Sequence, residues 1–158
     1  MKRTFLLAAA VLVTLSVSMQ AQTPMYGPSI TAETAKKVAA PAVAEAKKNN
    51  WTMAIAVVDT AGELVYFERM DETQMGSITV SIAKARSAVR FKRPTKAFQD
   101  AVAAGGDGLR ILGLEGAVPI EGGIPLMSGG KIVGAIGASG GSSQQDGVVA
   151  AAGAATLK

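Results

Sequence analysis

Two pairs of short apolar segments, each pair joined by a turn sequence, constrain the fold of this chain most strongly. Residues 52–58 and 64–69 are separated by a D-T-A-G turn, which has the aspartate and glycine typical of a hairpin. Residues 124–127 and 132–138 are likewise separated by S-G-G-K. Because hairpins join antiparallel strands, these segments predict an α+β domain with a mainly antiparallel sheet rather than a wound parallel one.

The remaining periodic segments predict the helices that flank this sheet. Apolar residues recur at helical spacing over residues 32–48, where Thr31 can cap the helix and Pro41 predicts a kink or a later start. A second helix is predicted over residues 77–90. With the short apolar stretch at 118–120, about five strands are expected. The other expected elements are a short helix capped by Thr95, a loop over residues 105–108, and a final alanine-rich helix opened by a capping box of Ser143 and Asp146.

The first 21 residues have the order of a cleavable secretion signal. Lys2 and Arg3 give a positive start, residues 5–17 are almost entirely apolar, and Ala21 offers a small residue at the cleavage point. A membrane anchor is the alternative, but this run is shorter than the ~20 residues that a spanning helix needs. We therefore predict a signal peptide over residues 1–21, a flexible leader over 22–28 and a single domain over 29–158. The mature protein is expected to be periplasmic or secreted and free of the membrane.

The chain contains no histidine and no cysteine. This excludes Ser-His-Asp and Cys-His catalysis, removes the preferred ligands of zinc, and leaves haem without a histidine or cysteine axial ligand. The net charge of +4 falls to +2 when Lys2 and Arg3 are removed, so nucleic-acid binding has little support. Aromatic residues make up only 4% and no disulfide can form. Such a thin core in an exported domain predicts a homo-oligomer.

Six short motifs follow one another in a characteristic order along the predicted domain. They are A-V-V-D at 56–59 with Gly62, R-M-D at 69–71, Ser77 with A-K-A-R at 83–86, Phe91 with R-P-T at 93–95, G-G-I-P at 122–125, and G-A-I-G-A-S-G-G at 134–141 followed by Gln145 and Asp146. In this order they resemble the GlcG/HbpS-like family of haem-binding-type proteins. The C-terminal domain of PduO-type corrinoid adenosyltransferases also belongs to that family.

The resemblance implies a fold, a mode of assembly and a ligand class. The fold is a profilin-like or PAS-like α/β/α sandwich, commonly found in homo-oligomers, and haem or another tetrapyrrole is the best attested ligand. Two features of the family do not transfer to this chain. No histidine is present to hold the haem iron, and the paired glutamates with which secreted relatives bind iron are not matched, because Glu33 and Glu45 stand alone on the first helix.

The densest positive cluster of the chain lies on and after the second predicted helix. A solvated helix face or a subunit contact explains most of its members, but Lys84, Arg86 and Arg93 fall within the family-like motifs. We predict that these three bind a small anionic ligand, such as haem propionates, a phosphate or a carboxylate. The other members of the cluster are Arg90, Lys92 and Lys96.

Glycines near the end of the chain suggest a second part of the ligand site. Ser139, Gly140 and Gly141 precede a capped helix, whose free amides can hold an anion, although simple entry into the helix explains them equally well. Gly134 and Gly137 instead predict a close approach of the strand to a helix or to a neighbouring subunit.

The metal ligands stay open at this stage. The acidic residues at 59, 68, 71 and 72 could bind a hard cation, but a polar turn explains them too. A methionine such as Met70 could ligate haem iron, although core packing is the usual role of methionine. Apolar positions near Phe91, Ile136 and Met70 could line a slot for the haem ring.

Three functions are compatible with these observations. The leading one is an exported, homo-oligomeric binding protein for haem or a related anionic tetrapyrrole. The second is an enzyme acting on a small organic acid or ring compound, with Lys84, Asp59 or Asp71 as acid-base groups in the absence of histidine. The third is a structural oligomer without a small ligand. A binding protein is favoured over an enzyme, and no catalytic residue is assigned.

We expect cleavage between Ala21 and Gln22 during export, because a positive start, an apolar run and a small residue precede that bond. The intact mass of the exported protein tests this expectation. A mature form that retains residues 5–17 would contradict it.

Overall fold

The computed structural model describes residues 23–157, so the predicted signal peptide lies outside the described residues. The chain forms four α-helices and one 3₁₀ helix, Gly106–Gly113. The α-helices are α1 (Ala32–Lys48), α2 (Gly76–Arg90), α3 (Lys96–Ala103) and α4 (Ser143–Ala154). The strands are β1 (Ala54–Val58), β2 (Leu64–Arg69), β3 (Gly123–Ser128) and β4 (Lys131–Ser139). None of the helices within residues 23–157 is long and apolar enough to cross a membrane.

The four strands form one antiparallel sheet in the order β2-β1-β4-β3. Both predicted hairpins are present, and β1 pairs with β4 at the centre of the sheet, where Ala56 lies opposite Gly137. The described residues contain four strands rather than the expected five. Residues 118–120 are not a strand, because the Val118 N–H donates to the Ser87 hydroxyl of α2 instead of to a neighbouring strand.

Helices cover both faces of this sheet and complete the expected α/β/α sandwich. On one face, Ile55, Ile136 and Ala138 pack against residues of α1 and α4, including Val38 and Val149. On the other face, α2 buries a smaller cluster against the sheet. Its buried members are Val58, Ala85, Ala88, Val89, Ile132 and Ala135.

The second face is thin because α2 lies very close to β4. A Cβ atom at Gly137 would overlap the Ser81 carbonyl oxygen and lie 2.7 Å from the Ala85 amide nitrogen. A Cβ atom at Gly134 would overlap the Val58 carbonyl oxygen. The expected close approach of the strand to a helix is therefore confirmed at Gly137, whereas the close backbone at Gly134 is that of the neighbouring strand β1 rather than of a helix.

Two predicted helix caps are replaced by other contacts. The Thr31 hydroxyl caps α1 as expected, and the helix continues through Pro41, so the later start is wrong. The capping box of α4 is formed by Ser142 and Gln145 rather than by Ser143 and Asp146. Thr95 does not cap α3 with its side chain, because its hydroxyl accepts the Gly123 N–H at 2.9 Å.

Two segments outside the α-helices and strands, residues 105–108 and the N-terminal leader, make ordered contacts. Residues 105–108, predicted as a loop, lead into and begin the 3₁₀ helix. The N-terminal leader lies along the start of β4, where the Gly27 N–H donates to the Ile132 carbonyl at 2.8 Å. The Tyr26 hydroxyl donates to the Val89 carbonyl of α2 at 2.9 Å. The leader therefore joins the sheet to the second helix.

Gly137→Ala should lower the free energy of unfolding by at least about 2 kcal/mol, because the new methyl group has to push α2 away from the sheet. Gly76→Ala is the matched control, since a Cβ at that position meets nothing within 4 Å, and its effect should stay within about 1 kcal/mol. Urea unfolding of both variants measures the difference. Equal stabilities would contradict the close approach.

Candidate functional site

A buried ion pair connects α2 with α4. The Lys84 ammonium lies 2.6 Å from the Asp146 carboxylate, and both side chains are almost fully buried, with 1% and 4% of their surface exposed. The same ammonium donates to the Ala138 carbonyl of β4 at 3.2 Å. One lysine therefore connects two helices and the central strand of the sheet.

Asp146 also holds the turn that leads into α4. Its second carboxylate oxygen accepts the Gly141 N–H at 3.1 Å. Burial raises the pKa of Asp146 above its usual range, while the hydrogen bond and charge of Lys84, together with the backbone N–H groups of the turn, act in the opposite direction. The carboxylate is thus satisfied on both oxygens, as a buried charge requires.

The ion pair fits only because Gly122 has no side chain. A Cβ at this position would lie 2.9 Å from the Lys84 ammonium nitrogen and 2.8 Å from the Asp146 Cβ. Gly122 also has φ +124°, a conformation that favours glycine. At the next residue, a Cβ on Gly123 would overlap the Lys84 carbonyl oxygen. The G-G-I-P motif is therefore the surface on which the ion pair is packed.

A groove opens on the outer side of this glycine pair, between the start of α3 and the first half of α4. Its cavity volume is about 180 Å³. Two of the lining side chains, Lys96 and Glu121, are charged. The Lys96 ammonium donates to both carboxylate oxygens of Asp100 at 2.7 Å. This hydrogen bond raises the pKa of Lys96, which keeps it positively charged. The groove is lined by Pro94, Lys96, Glu121, Gly122, Gly123, Ile124, Gly147 and Ala151.

The three predicted cations contact different parts of the fold. Lys84 is buried against Asp146 and presents no charge at the surface. Arg86 donates to the Gly62 carbonyl at 2.9 Å, in the β1–β2 turn, and lies 3.5 Å from Glu63. Arg93 is exposed, with its guanidinium carbon 5.6 Å from the centre of the Phe98 ring. Its Nε also donates to the Phe91 carbonyl at 3.1 Å, and of the three cations Arg93 is the one whose chain neighbour, Pro94, lines the groove.

The predicted glycine loop makes contacts inside the protein. The buried Ser139 hydroxyl donates to the Ser77 hydroxyl of α2 at 3.2 Å. A Cβ at Gly140 would overlap the Thr52 carbonyl oxygen, so the loop passes close to the start of β1. Because the Gly141 amide is bound to Asp146, an anion at this helix N-terminus would have to use other amides.

The predicted haem slot is not formed by the three residues named for it. Ile136 is fully buried on the α1 and α4 face, where it lies beside Gly153. Met70 lines a separate open cleft of about 320 Å³, together with Lys47, Glu68, Arg69 and Asp71. Phe91 instead packs edge-on against Phe98, with ring centroids 5.2 Å apart, close to Arg93.

The acidic residues considered as acid-base groups or metal ligands do not all lie together, because Glu68 and Asp71 line the cleft beside Met70 while Asp59 is in the β1–β2 turn. Asp59 accepts the Ala61 and Glu63 amides within the β1–β2 turn, whereas Asp71 follows β2 at the other end of the hairpin. Among residues 23–157, no three carboxylates lie close enough together to hold a metal ion.

Sequence reasoning did not find the partner of Lys84. Asp146 has the spacing of a helix cap, and 62 positions separate it from Lys84, so no local pattern joins the two. Lys84, Gly122 and Asp146 all belong to the family-like motifs, but the motifs do not indicate that these residues contact one another. Glu121, which lies beside those motifs, carried no signal at all.

Comparisons with known proteins identify the family to which this fold belongs. Residues 30–155 match the family described as "Haem degrading protein HbpS-like". The GlcG protein of Escherichia coli strain K12 is 38% identical over 95 residues, which are 60% of this chain and 69% of GlcG. The chain therefore belongs to the HbpS-like family, which confirms the resemblance carried by its motifs.

Solved structures support the same conclusion. A double mutant of Streptomyces reticuli HbpS superposes with a TM-score of 0.75 at 30% identity, over 96% of this chain and 99% of that one. The structure described as the PduOC:heme complex has a TM-score of 0.73 at 26% identity, over 82% of this chain and 96% of that one. Nearly the whole of both structures corresponds to this chain.

Lys84→Met should lower the free energy of unfolding by about 3–5 kcal/mol, because it leaves the Asp146 carboxylate buried without its partner. Adding Asp146→Asn should recover part of this loss, since asparagine is neutral and can still accept the Gly141 N–H. Lys96→Met is the control at an exposed ion pair and should change stability by less than about 1 kcal/mol. Purely additive effects of the two substitutions in denaturant unfolding would contradict the coupling.

Proposed function

We propose that this protein is exported and binds haem or a related anionic tetrapyrrole as a homo-oligomer. The observation that carries the proposal is the match to the HbpS-like family over residues 30–155, together with the similarity to a structure solved as a heme complex. The export of the protein rests on the predicted signal peptide. Its self-association rests on the thin core and on the absence of cysteine.

The groove beside Gly122 and Gly123 is the site that we propose for the carboxylate-bearing edge of the ligand. Its glycine walls leave flat backbone surface, Lys96 lines it while paired with Asp100, and Arg93 is an exposed cation directly before the lining residue Pro94. Charge-assisted hydrogen bonds from such side chains bind carboxylates well. Glu121 lines the same groove and opposes a second negative charge there, so one propionate is the better fit.

The groove alone does not fit a whole tetrapyrrole. Its volume of about 180 Å³ is below the ~300–1,000 Å³ of pockets that enclose drug-sized ligands. The ring would therefore extend from the groove over the exposed Pro94 and the partly exposed Phe91, and a second subunit is needed to cover it.

The absence of histidine and cysteine determines how the iron would be held. Water, a methionine thioether or an oxygen ligand is available, and each is a weaker ligand of haem iron than imidazole or thiolate. Affinity should then come mainly from ring contacts and propionate charges, so it should be modest and should fall as salt is added.

The small-acid enzyme is less well supported than the haem protein. Its proposed acid-base groups do not converge, because Lys84 is paired in the interior while Asp59 and Asp71 lie at opposite ends of a hairpin. No observation on the described residues favours that function over haem binding.

Arg93→Ala should weaken haemin binding about tenfold if the guanidinium meets a propionate in a partly buried site, since such a hydrogen bond is worth roughly 1.5–3 kcal/mol. Lys48→Ala is the control, because Lys48 is an exposed cation at the end of α1 that does not line the groove, and its neighbour Lys47 lines the separate cleft beside Met70. Absorbance titration of the parent and both variants at low and moderate salt measures the effect. Equal affinities for all three would remove Arg93 from the site, and the absence of saturable binding would overturn the haem proposal.

A further inference from the structure

The segment between α3 and β3 exposes an unusual amount of apolar surface. We call residues 106–120, which include the 3₁₀ helix Gly106–Gly113, the arm. Leu112 is 65% exposed, and Leu109, Leu114 and Ile120 are each about half exposed. Four large apolar side chains are thus exposed within one short segment, and apolar residues exposed together mark candidate interaction sites.

The arm is held to its own domain by few contacts. The 3₁₀ helix packs on α3 and makes only marginal contact with the other helices and strands. None of its residues is buried, and a Cβ at Gly113 or Gly116 would meet nothing within 4 Å. Because burial of apolar surface is the main source of stability, leucines that face outward from a loosely attached segment gain most when another molecule covers them.

The charges of the arm favour a second copy of the same chain as that molecule. Arg110 and Asp107 pair with each other at 3.0 Å and are more than four-fifths exposed, and Glu115 is the third charged residue of the arm. One positive and two negative charges give a net charge of only −1, which selects weakly for an acidic or a basic partner. Opposite charges three positions apart are also self-complementary when two copies of a segment pack antiparallel about a two-fold axis. Arg110 of each copy then faces Asp107 of the other.

The arm runs directly into the proposed ligand groove. Ile120 is followed by Glu121, Gly122 and Gly123, which all line the groove. A molecule that covers the arm therefore lies at the edge of the groove. It adds a further wall to a groove that is by itself too small to enclose the ligand. A stable pair needs about 800 Å² per partner, more than four side chains provide, so the contact has to extend beyond the arm, and the rim of the groove is the adjoining surface.

We propose that a second copy of this chain docks on the arm through a two-fold contact and closes the adjacent groove over its ligand. The inference rests on the proposed self-association and specifies which surface produces it. The assembly and the ligand can be tested separately, because the leucines of the arm lie outside the lining of the groove.

Light scattering of the purified parent and of a Leu109→Asp/Leu112→Asp variant tests the contact. The parent should be an oligomer, and the variant should fall to the mass of a monomer or of a smaller assembly. Leu64→Asp is the matched control, since Leu64 is 44% exposed at the start of the edge strand β2, and it should keep the parent mass. A monomeric parent, an unchanged arm variant, or dissociation by Leu64→Asp alone would each overturn the proposal.

A second measurement decides the question if the aspartate variant does not fold. The chain has no cysteine, so a single introduced thiol reports on its own neighbourhood. Gly113→Cys and Gly76→Cys are matched, because both positions have open space around a Cβ and neither has positive φ. A short bis-maleimide should link two subunits through position 113 and not through position 76. Equal yields at both positions would contradict a contact at the arm.

Haemin titration of the same variants tests the closure of the groove. The arm variant should bind haemin about tenfold more weakly, while Leu64→Asp should bind as the parent does. An arm variant that dissociates but keeps the affinity of the parent for haemin would contradict the closure of the groove and support the contact at the arm. A protein that assembles through the arm but binds no haemin would instead contradict the proposed haem-binding function and support the interface.

Discussion

The pairing of Lys84 with Asp146 is the constraint on which the rest of this structure depends. Transfer of two charges from water into a protein interior is unfavourable by several kcal/mol per ion, and their attraction repays this only when the remaining hydrogen bonds are also made. Here the Ala138 carbonyl and the Gly141 amide make them. The pair therefore requires α2, β4 and the turn before α4 to be in place together. A conformation in which one of them is displaced is destabilised, because it leaves a buried charge without a partner.

Glycine has the complementary role in this arrangement. Gly122 leaves room for the ion pair, and Gly137 lets α2 approach the sheet. A lysine makes this connection because its long, flexible side chain can reach from α2 to α4, which a shorter side chain cannot do. In this way a small domain with few aromatic residues obtains a specific interior and a shallow groove on its surface.

Local patterns were sufficient for most of the fold. The two hairpins, the periodicity of α1 and α2, and the positions of Gly134 and Gly137 all express contacts between near neighbours or a steric need at one position. The site depended on long-range contacts instead. Lys84 looked like a surface cation because its charge was visible in the sequence and its partner, 62 positions away, was not. Thr95 and Asp146 had the spacing of caps, but their side chains bind Gly123 and Lys84, since satisfying a buried group outweighs capping an exposed helix end.

The attachment of the leader to β4 has a consequence for the order in which this protein can fold. Gly27 and Ile30 bond to the first residues of β4, so these partners lie more than 100 positions apart, about two thirds of the 158-residue chain. Contacts between such distant residues close large loops and form late. Until β4 has been synthesised, the leader has no strand to pair with. The pairing of residues 25–30 with β4 is thus a closing step of the fold, which depends on a strand made long after them.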